Sequence, residues 1–320
     1  MKRIIIKSIL YLGAPFTFLS SVWLKFVKNN GTGRIAEFIF MKLGIFPILD
    51  HYYQPMINPK KYLTKSLRDD RELLGVDINA EEQLNLLSKF NYNEELLEFP
   101  LDKRKDYEYF YNNSNYSSGD AEYLYNIIRH FKPNRIIEIG SGYSTLMVRN
   151  AISNNKLEET NYTCHHICIE PYEVQWLEEL GVEVIREKVE KLDKSIFQNL
   201  KSNDILFIDS SHIIRPQGDV LFEYLEILPS LKSGVLVHVH DIFTPKDYLD
   251  EWVYGHFFWN EQYIVEAFLT FNSEFRIIGA LNYLAHNHRK ELAEKCPFFA
   301  SNKGFERNKS EPRAFWMIKK

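Results

Sequence analysis

The pattern of apolar and polar positions along the chain changes near residue 115. Before that point, helical patches are separated by turn signals such as Asn58-Pro59. From Ser118 onward, short runs rich in β-branched residues alternate with amphipathic helical stretches. This alternation is typical of βαβ units, in which helices cover both faces of a parallel sheet. We therefore predict a mostly helical N-terminal region over 1–115 and an α/β domain over 116–320.

Seven runs after residue 118 have the composition of strands. The first five predict parallel strands, and the last two form a pair late in the chain. The seven runs are Arg135–Ile139, His165–Ile169, Val182–Ile185, Asp204–Ile208, Gly234–Val239, Phe275–Leu281 and Ala314–Ile318. Helices are predicted at Asp120–Phe131, from about Ser144, around Tyr172–Leu180 and at Asp219–Leu231. Together these elements predict one doubly wound domain rather than two.

Composition and charge narrow the class of protein. The chain has 320 residues and a formal net charge of −4, whereas a protein that binds nucleic acid usually carries a basic excess. We expect no nucleic-acid partner. Three cysteines cannot build a disulfide framework, which favours a reducing compartment and a cytoplasmic protein.

The first 28 residues contain an apolar stretch with basic residues on both sides. The uncharged run over 8–24 has 17 residues, fewer than the roughly 20 that a membrane span needs, and no good cleavage site follows it. A helix over 4–27 with apolar Phe18, Val22 and Phe26 has two interpretations. It packs on its own protein, or it makes a peripheral contact at the inner membrane surface.

The first predicted strand leads into a glycine-containing turn, Glu138-Ile-Gly140-Ser141-Gly142-Tyr143. Glycines allow a tight turn and a close approach to a ligand, and the following helix points N–H groups at it. The acidic Glu138 would repel a pyrophosphate but attract an ammonium or sulfonium group. The dinucleotide fingerprint also fails at its last glycine, which is Thr145 here.

A second acidic residue, Glu170, ends the next strand. A carboxylate at this position can accept hydrogen bonds from both hydroxyls of a ribose. It follows Gly142 by 28 residues, compared with about 20 in nicotinamide-binding proteins. The pattern therefore favours an adenosine that carries a cationic group. Two alternatives stay open: a nicotinamide-dependent oxidoreductase and a non-catalytic binding module on the same fold.

The run over 118–241 resembles the class I S-adenosylmethionine-dependent methyltransferases. It is most similar to a bacterial branch through Phe207-Ile-Asp209-Ser-Ser-His212, through His238-Val-His240-Asp241 and through Trp259-Asn-Glu-Gln-Tyr263. The resemblance implies S-adenosyl-L-methionine as cofactor. It also implies a Rossmann-like seven-stranded sheet of order 3-2-1-4-5-7-6, with Ala314–Ile318 as the antiparallel insertion.

The same resemblance implies roles for the residues of the turn. The Glu138 loop, with Gly140, Ser141, Gly142 and Tyr143, would cradle the methionine part, and Glu170 would hold the ribose. Asp209 is assigned to the cofactor as well as to catalysis. One departure is Ser144, where many members of the family have a third glycine.

Polar residues follow the fourth and fifth predicted strands, where the crevice of a doubly wound sheet lies. We predict His212 or His240 as the general base for an acceptor hydroxyl, with Asp209 beside them. Alternation along the strand places His238 and His240 on one face and Asp241 on the other. An alternative uses Asp209 and Asp241 as ligands for Mg²⁺, and the structural alternative has these residues only capping strand ends.

These features predict O-methylation of a small-molecule or glycan-like acceptor. The cluster Cys164-His-His-Ile-Cys168 does not have the spacing of a zinc site and is better explained as a buried strand.

Overall fold

The computed structural model describes residues 2–172, 174–301 and 311–320 and contains two compact units, 1–65 and 66–320. The boundary predicted near residue 115 therefore lies inside the second unit. Long-range side-chain contacts explain this difference. The Arg71 guanidinium forms two hydrogen bonds with Glu266, at 2.7 and 2.5 Å, and the Ala280 N–H donates to the Gln83 side chain at 2.7 Å. Such contacts between distant positions cannot be read from local sequence.

The second unit is built around a seven-stranded sheet in the order β3-β2-β1-β4-β5-β7-β6. Its strands are β1 (Arg135–Ile139), β2 (His165–Ile169), β3 (Glu183–Ile185), β4 (Ile205–Ile208), β5 (Leu236–Val239), β6 (Phe275–Ala280) and β7 (Phe315–Lys319). The first five pair in parallel, and β7 pairs antiparallel with both β5 and β6. The predicted Rossmann-like topology is confirmed, including the antiparallel insertion.

Apolar side chains cover both faces of this sheet, as expected for strands that lie between layers of helices. On β1, Ile136 belongs to one apolar layer, while Ile137 and Ile139 belong to the opposite layer. The register places Glu138 opposite Cys168 of β2 and Phe207 of β4. The carboxyl ends of β1, β2 and β4 therefore meet at one edge of the sheet, where the predicted site residues lie.

Helices connect the strands and flank the sheet. In the second unit they are α5 (Ala80–Ser88), α6 (Asn93–Leu97), α7 (Asp120–Phe131), α8 (Tyr143–Glu158), α9 (Ser195–Gln198), α10 (Asp219–Phe222), α11 (Leu228–Ser230), α12 (Asp250–Tyr254), α13 (Glu261–Leu269), α14 (Leu281–Asn287), α15 (Arg289–Lys295) and α16 (Pro297–Ala300). A π-helical segment, Glu223–Ile227, joins α10 to α11. Two short 3₁₀ segments, Gln175–Leu180 and Val189–Lys191, flank β3.

Two predicted helices differ in detail. The helix expected around Tyr172–Leu180 is a 3₁₀ segment, and it follows Val174, whose φ of 55° is left-handed. Residue 173 lies outside the described residues. The helix expected at Asp219–Leu231 is present, but its middle turn is widened into the π form. Single π turns of this kind are frequent near functional sites.

The first unit contains α1 (Lys2–Leu12), α2 (Ala14–Asn29), α3 (Arg34–Leu43) and α4 (Pro59–Tyr62). The helix predicted over 4–27 is thus two helices, which meet at Gly13 with a bend of 54°. Among the described residues, none of the helices has by itself the length and apolar character that a membrane crossing requires. Only α1 and α2 taken together meet that criterion, and the bend separates them.

Candidate functional site

The glycine turn after β1 requires glycine at one position. Gly140 has a left-handed φ of 77°, and a Cβ atom there would lie 1.9 Å from the carbonyl oxygen of Asp209. A side chain at this position would therefore force β1 and β4 apart at their carboxyl ends. The environment of Gly142 is open, with no neighbouring atom within 4 Å of a Cβ placed there.

Glu138 lies fully buried beneath this turn. Its Oε2 atom accepts a hydrogen bond from the Thr145 hydroxyl at 2.6 Å and lies 3.0 Å from Nε2 of His166. Its Oε1 atom has no hydrogen-bond partner among the residues that the structure describes. A buried carboxylate oxygen without a partner is costly unless a ligand satisfies it. This oxygen fits the family expectation that the Glu138 loop receives a cationic group.

A cavity of about 230 Å³ opens at the carboxyl ends of β1, β2 and β4. Of the predicted cofactor residues, Gly140, Glu170 and Asp209 line it. The other lining residues are Ile139, Ile169, Pro171, Tyr172, Lys188, Val189, Glu190, Ser210, Ser211, Arg215 and Asp219. The other predicted cofactor residues, Glu138, Ser141, Gly142 and Tyr143, are not among them. Glu170 is held at the rim, because its carboxylate accepts from the Tyr172 N–H at 3.0 Å and lies 3.4 Å from the Ser141 N–H nitrogen.

A second cavity of about 350 Å³ shares Asp209 with the first. One part of its wall is aromatic, formed by Trp252, Phe257 and Trp259. The remainder is polar and comprises Ser114, Asn115, Asp209, His240, Asp241 and Arg313. Asp209 is the residue that lines both cavities. About a third of its side chain is exposed, 32%, so its carboxylate is accessible at the boundary between them.

His212 is buried, lines neither cavity and is surrounded by carboxylates. Its Nδ1 atom lies 2.7 Å from Glu261, and its Nε2 atom lies 3.3 Å from both Asp209 and Asp241. Burial alone would lower the pKa of His212, but hydrogen bonds to Asp209 and Glu261 raise that pKa well above its usual value. The imidazole is therefore protonated at neutral pH when the site holds no ligand.

His240 has a similar environment and contacts the same carboxylate oxygen of Asp209 as His212 does. Its Nδ1 atom lies 3.5 Å from Asp209 and 3.7 Å from Asp241, and its Nε2 atom lies 3.5 Å from Asp120. Burial opposes protonation, but the charges of Asp241 and Asp209 raise the pKa of His240 to about 10. Like His212, it is a cation at neutral pH in the ligand-free protein.

Asp209 carries the complementary charge between these two histidines. Burial would raise the pKa of its carboxyl, but the positive charge of His240 and a hydrogen bond to His212 hold that pKa well below its usual range. The boundary between the cavities thus consists of one carboxylate held between two imidazolium groups. Neither imidazolium can accept a proton in this state, so any role as a base requires that its own proton is first displaced.

Asp241 does not lie on the face that strand alternation predicts. We expected it opposite His240, yet one of its carboxylate oxygens lies 3.7 Å from His240 Nδ1. The alternation fails because β5 ends at Val239 and Asp241 has a left-handed φ of 58°. His212 also has a left-handed φ, 59°. Non-glycine residues in this conformation are strained and often occur at functional sites.

Asp241 also forms an ion pair with Arg313, which lies two residues before β7. Arg313 also lines the second cavity.

Asp120, at the start of α7, accepts hydrogen bonds at 2.8 Å from the N–H groups of Arg313 and Ala314. Sequence reasoning missed Asp120, Glu261 and Arg313. Glu261 lies in the motif over 259–263 that carries the family resemblance, but nothing there gave it a role, and no local signal identifies Asp120 or Arg313. Each of the three meets its partner across more than 45 residues of chain.

His238, in contrast, belongs to the packed interior. Its ring stacks on Phe207 with a centroid distance of 3.9 Å, and it lines neither cavity. Burial, followed by the positive charge of His240, lowers the pKa of His238 well below its usual value. It is therefore neutral at physiological pH, which suits a packing role.

Among the residues that the structure describes, two groups of side chains have ligand atoms close enough for a metal ion, within 4.8 Å of one another. The first consists of Asp209, His240 and Asp241, and it contains both carboxylates of the Mg²⁺ alternative. Two carboxylates and one imidazole suit a divalent cation. The second consists of Glu138, His166 and Cys168 beneath the glycine turn. Burial raises the pKa of the Cys168 thiol, so it is not a ready thiolate ligand.

Comparison with known proteins identifies the domain. A family model described as a methyltransferase domain matches residues 137–242, from β1 to just beyond β5. A protein of Archaeoglobus fulgidus, described only as uncharacterized, is 33% identical over 176 residues, which is 50% of this chain and 76% of that protein. This relative is archaeal, so the predicted bacterial branch stays a prediction.

Two solved structures show lower similarity. One is an O-methyltransferase from Bacillus cereus in complex with SAH, 13% identical, covering 82% of this chain and 95% of its own, with a TM-score of 0.36. The other is the O-methyltransferase TomG from Streptomyces achromogenes, involved in tomaymycin synthesis and in complex with SAM. It is 16% identical and covers 73% of this chain and 89% of its own, with a TM-score of 0.35.

The family match, rather than these two scores, agrees with the strand order and with the glycine turn between β1 and α8. The match assigns residues 137–242 to a methyltransferase domain, and the strand order is the one expected of the class I S-adenosylmethionine-dependent methyltransferases.

Proposed function

We propose that this protein transfers a methyl group from S-adenosyl-L-methionine to a hydroxyl oxygen of a small, ring-shaped polar acceptor such as a sugar unit. The observation that carries the proposal is the position of Asp209. Its carboxylate lines the cavity beside the glycine turn and also the aromatic cavity. A methyl donor in the first cavity and an acceptor in the second would meet at this residue, and in-line transfer requires such an arrangement.

The first cavity has the groups that the cofactor needs. Glu170 at its rim offers carboxylate oxygens to the ribose hydroxyls, and Gly140 allows close approach of the backbone. The unpartnered Oε1 of Glu138 supplies negative charge beneath the turn for an ammonium group. When bound, the cofactor supplies an electrophilic methyl group on a sulfonium.

The second cavity favours an acceptor with one apolar face and several hydroxyls. Trp252 and Trp259 provide aromatic surface, with their rings packed edge to face and their centroids 4.8 Å apart. The polar part of the lining offers the carboxylate of Asp241 and the guanidinium of Arg313, which lies over the Trp252 ring. A sugar ring matches this combination, because its C–H face packs on aromatic rings and its hydroxyls bond to charged groups.

The acceptor hydroxyl loses its proton during transfer, and the charges around Asp209 determine which group accepts it. In the ligand-free state His212 and His240 are protonated. A positive sulfonium beside Asp209 would weaken the attraction that holds those protons and lower the pKa of both histidines. His240, which lines the second cavity, releases its own proton to solvent as its pKa falls and then accepts the hydroxyl proton. A Mg²⁺ ion on Asp209 and Asp241 would have the same effect on the histidine pKa values and would also polarise the acceptor oxygen.

Two measurements test this function. Titration calorimetry with S-adenosylhomocysteine and, separately, with NADH distinguishes the methyltransferase from a nicotinamide-dependent oxidoreductase. Incubation of the protein with isotopically methyl-labelled cofactor and pools of sugars, followed by mass spectrometry, identifies the acceptor. Binding of S-adenosylhomocysteine with no labelled product in pools of hydroxyl compounds would contradict O-methylation. Absence of binding to either nucleotide would leave the non-catalytic module.

A further inference from the structure

The first 48 residues expose most of the large apolar side chains on the surface. Of the 37 large hydrophobic residues that are exposed among the described residues, 21 lie between Ile4 and Ile48. The helices α1 and α3 bury no residue, and α2 buries only Val27. A concentration of apolar surface on this scale is rare unless it marks an interaction site.

The apolar and polar residues of α2 lie on separate faces. Phe18, Val22 and Phe26 recur at every fourth position, and Trp23 stacks on Phe26 with ring centroids 5.8 Å apart. The polar stripe contains Thr17, Ser21, Lys25 and Lys28, which have the same helical spacing. An apolar face with bulky aromatics and a basic polar face is the pattern of helices that lie in a lipid interface.

Charge supplies an independent argument for the kind of partner. The segment over 2–49 contains seven lysines or arginines and one acidic residue, Glu37, although the whole chain carries a net charge of −4. Basic residues beside an apolar face attract anionic lipid headgroups, and each contributes while it lies within about 10 Å of the surface at moderate salt. A dimer formed through this segment would bring two basic surfaces together.

We propose that α1, α2 and α3 form a docking surface for an anionic lipid bilayer. The apolar side chains of the three helices enter the region between the headgroups and the acyl chains, and the lysines and arginines contact lipid phosphates or carboxylates. The helices lie in the plane of the bilayer, since the described helices are individually too short and α1 is bent against α2 by 54°.

Vesicle flotation of the full chain tests the proposal. We expect the protein to float with vesicles of two parts phosphatidylcholine to one part phosphatidylserine at low salt. We expect little flotation with phosphatidylcholine alone, and less flotation on anionic vesicles as salt rises. The double substitution Lys25→Gln/Lys28→Gln should weaken partitioning about fivefold for each lysine removed. Phe18→Ser/Val22→Ser should abolish it, because the apolar insertion is lost.

The matched control removes two exposed lysines from the other unit, Lys103→Gln/Lys105→Gln. It should float like the parent, and all variants should keep the circular dichroism spectrum and the S-adenosylhomocysteine affinity of the parent. Failure of the parent to float at low salt overturns the proposal. Equal binding to both vesicle types overturns it as well, as does loss of binding in the control. Retention after high-salt and alkaline washing would show a spanning segment instead. In another outcome, the parent self-associates in sedimentation velocity and fails to bind vesicles. If Phe18→Ser/Val22→Ser then abolishes the self-association, the partner is a second copy of the chain.

Discussion

The Nδ1 atom of His212 lies 2.7 Å from Oε2 of Glu261, and both side chains are buried. Since this contact occupies Nδ1, only Nε2 faces Asp209 and Asp241, at 3.3 Å from each. Glu261 is held in turn by the hydroxyl of Tyr224, which donates to its other oxygen at 3.0 Å. A chain of contacts therefore fixes which nitrogen of His212 exchanges protons with the site.

The first prediction follows from this contact. Glu261→Gln keeps the size of the side chain but removes the charge that helps to raise the pKa of His212. A hydrogen bond to a charged group is worth about 1.5–3 kcal/mol, so the pKa of His212 should fall by about 1–2 pH units and the acid side of the pH–turnover profile should move down with it. Cofactor affinity should not change, because Glu261 lies outside the first cavity. The pH dependence of turnover and an NMR titration of His212 measure the effect.

Glu223→Gln is the matched control for this prediction. Burial, followed by the charge of Glu261, raises the pKa of Glu223 well above its usual value, so the parent side chain is already neutral. The amide should therefore be tolerated with nearly full turnover. If the two variants lose equal activity with unchanged pH profiles, Glu261 acts on packing alone.

The second prediction concerns the two glycines of the turn. Gly140→Ala places a methyl group 1.9 Å from the carbonyl oxygen of Asp209. It also puts alanine at a residue whose φ is left-handed. Strain of this kind costs about 1–3 kcal/mol before any clash is relieved, so thermal stability should fall by several degrees. Gly142→Ala should leave the melting temperature nearly unchanged, because its Cβ meets open space. Equal losses of stability in the two variants would contradict the assigned turn geometry.

The third prediction concerns the ribose contact. Glu170→Ala should weaken binding of S-adenosylhomocysteine by roughly 1.5–3 kcal/mol, the range for hydrogen bonds to a charged group, while the fold persists. Calorimetric titration measures the loss. Glu183→Ala removes a carboxylate that pairs with His165 on the surface, outside both cavities, and should bind like the parent. Unchanged affinity in a folded Glu170→Ala variant rejects the ribose role.

Local pattern was sufficient for much of the sheet. The strands β1 and β2 begin and end at the predicted residues, because uninterrupted apolar runs bounded by polar residues mark buried parallel strands. The strand order came from the family resemblance, since no periodicity specifies which strands are neighbours. The boundary at residue 115 differed because contacts such as Arg71–Glu266 join positions 195 residues apart.

In the site, as in the fold, local sequence predicts some features, and contacts between distant residues determine the others. Asp209, His212 and His240 were predicted because they follow strands whose carboxyl ends meet at one edge. Their charge state was not predicted, since it depends on Asp120 and Glu261, which come from distant segments of the chain. Trp259 of the aromatic wall lies in the motif over 259–263, but local pattern did not place it in a cavity.

The fourth prediction concerns stability and pH. Glu122 is fully buried at the start of α7, and burial raises its pKa to about 7 although three backbone N–H groups donate to it. Because the folded state binds this proton more tightly than the unfolded state, stability contributed by Glu122 is present below about pH 4.5 and falls as pH rises to 7, by about 3 kcal/mol. Urea unfolding at several pH values measures the fall.

Glu122→Gln cannot ionise and should remove this dependence. The difference in unfolding free energy between variant and parent should therefore change by about 3 kcal/mol in favour of the variant between pH 4.5 and 7. Glu94→Gln, an exposed position, serves as the control and should follow the parent at every pH. A constant difference between Glu122→Gln and the parent would show that Glu122 is ionised in both states.

The fifth prediction distinguishes a histidine base from a metal. If a histidine accepts the acceptor proton, His212→Ala or His240→Ala should lower turnover by roughly 10²- to 10⁴-fold with cofactor affinity retained, and a chelator should have no effect. If Mg²⁺ on Asp209 and Asp241 activates the acceptor, a chelator should abolish activity and added Mg²⁺ should restore it. Asp209→Asn and Asp241→Asn should then be the severe variants.

The control for this prediction is a histidine outside the site. His165→Ala removes an exposed imidazole and should leave turnover unchanged. Melting temperatures must accompany every variant, because Asp209 and Asp241 each neutralise buried cations and their loss also affects folding. We expect the histidines to dominate, since both contact the carboxylate that lies between the cavities. If chelation abolishes activity while the variants at both His212 and His240 stay active, the histidines are not the base. A metal ion held by Asp209 and Asp241 then activates the acceptor hydroxyl.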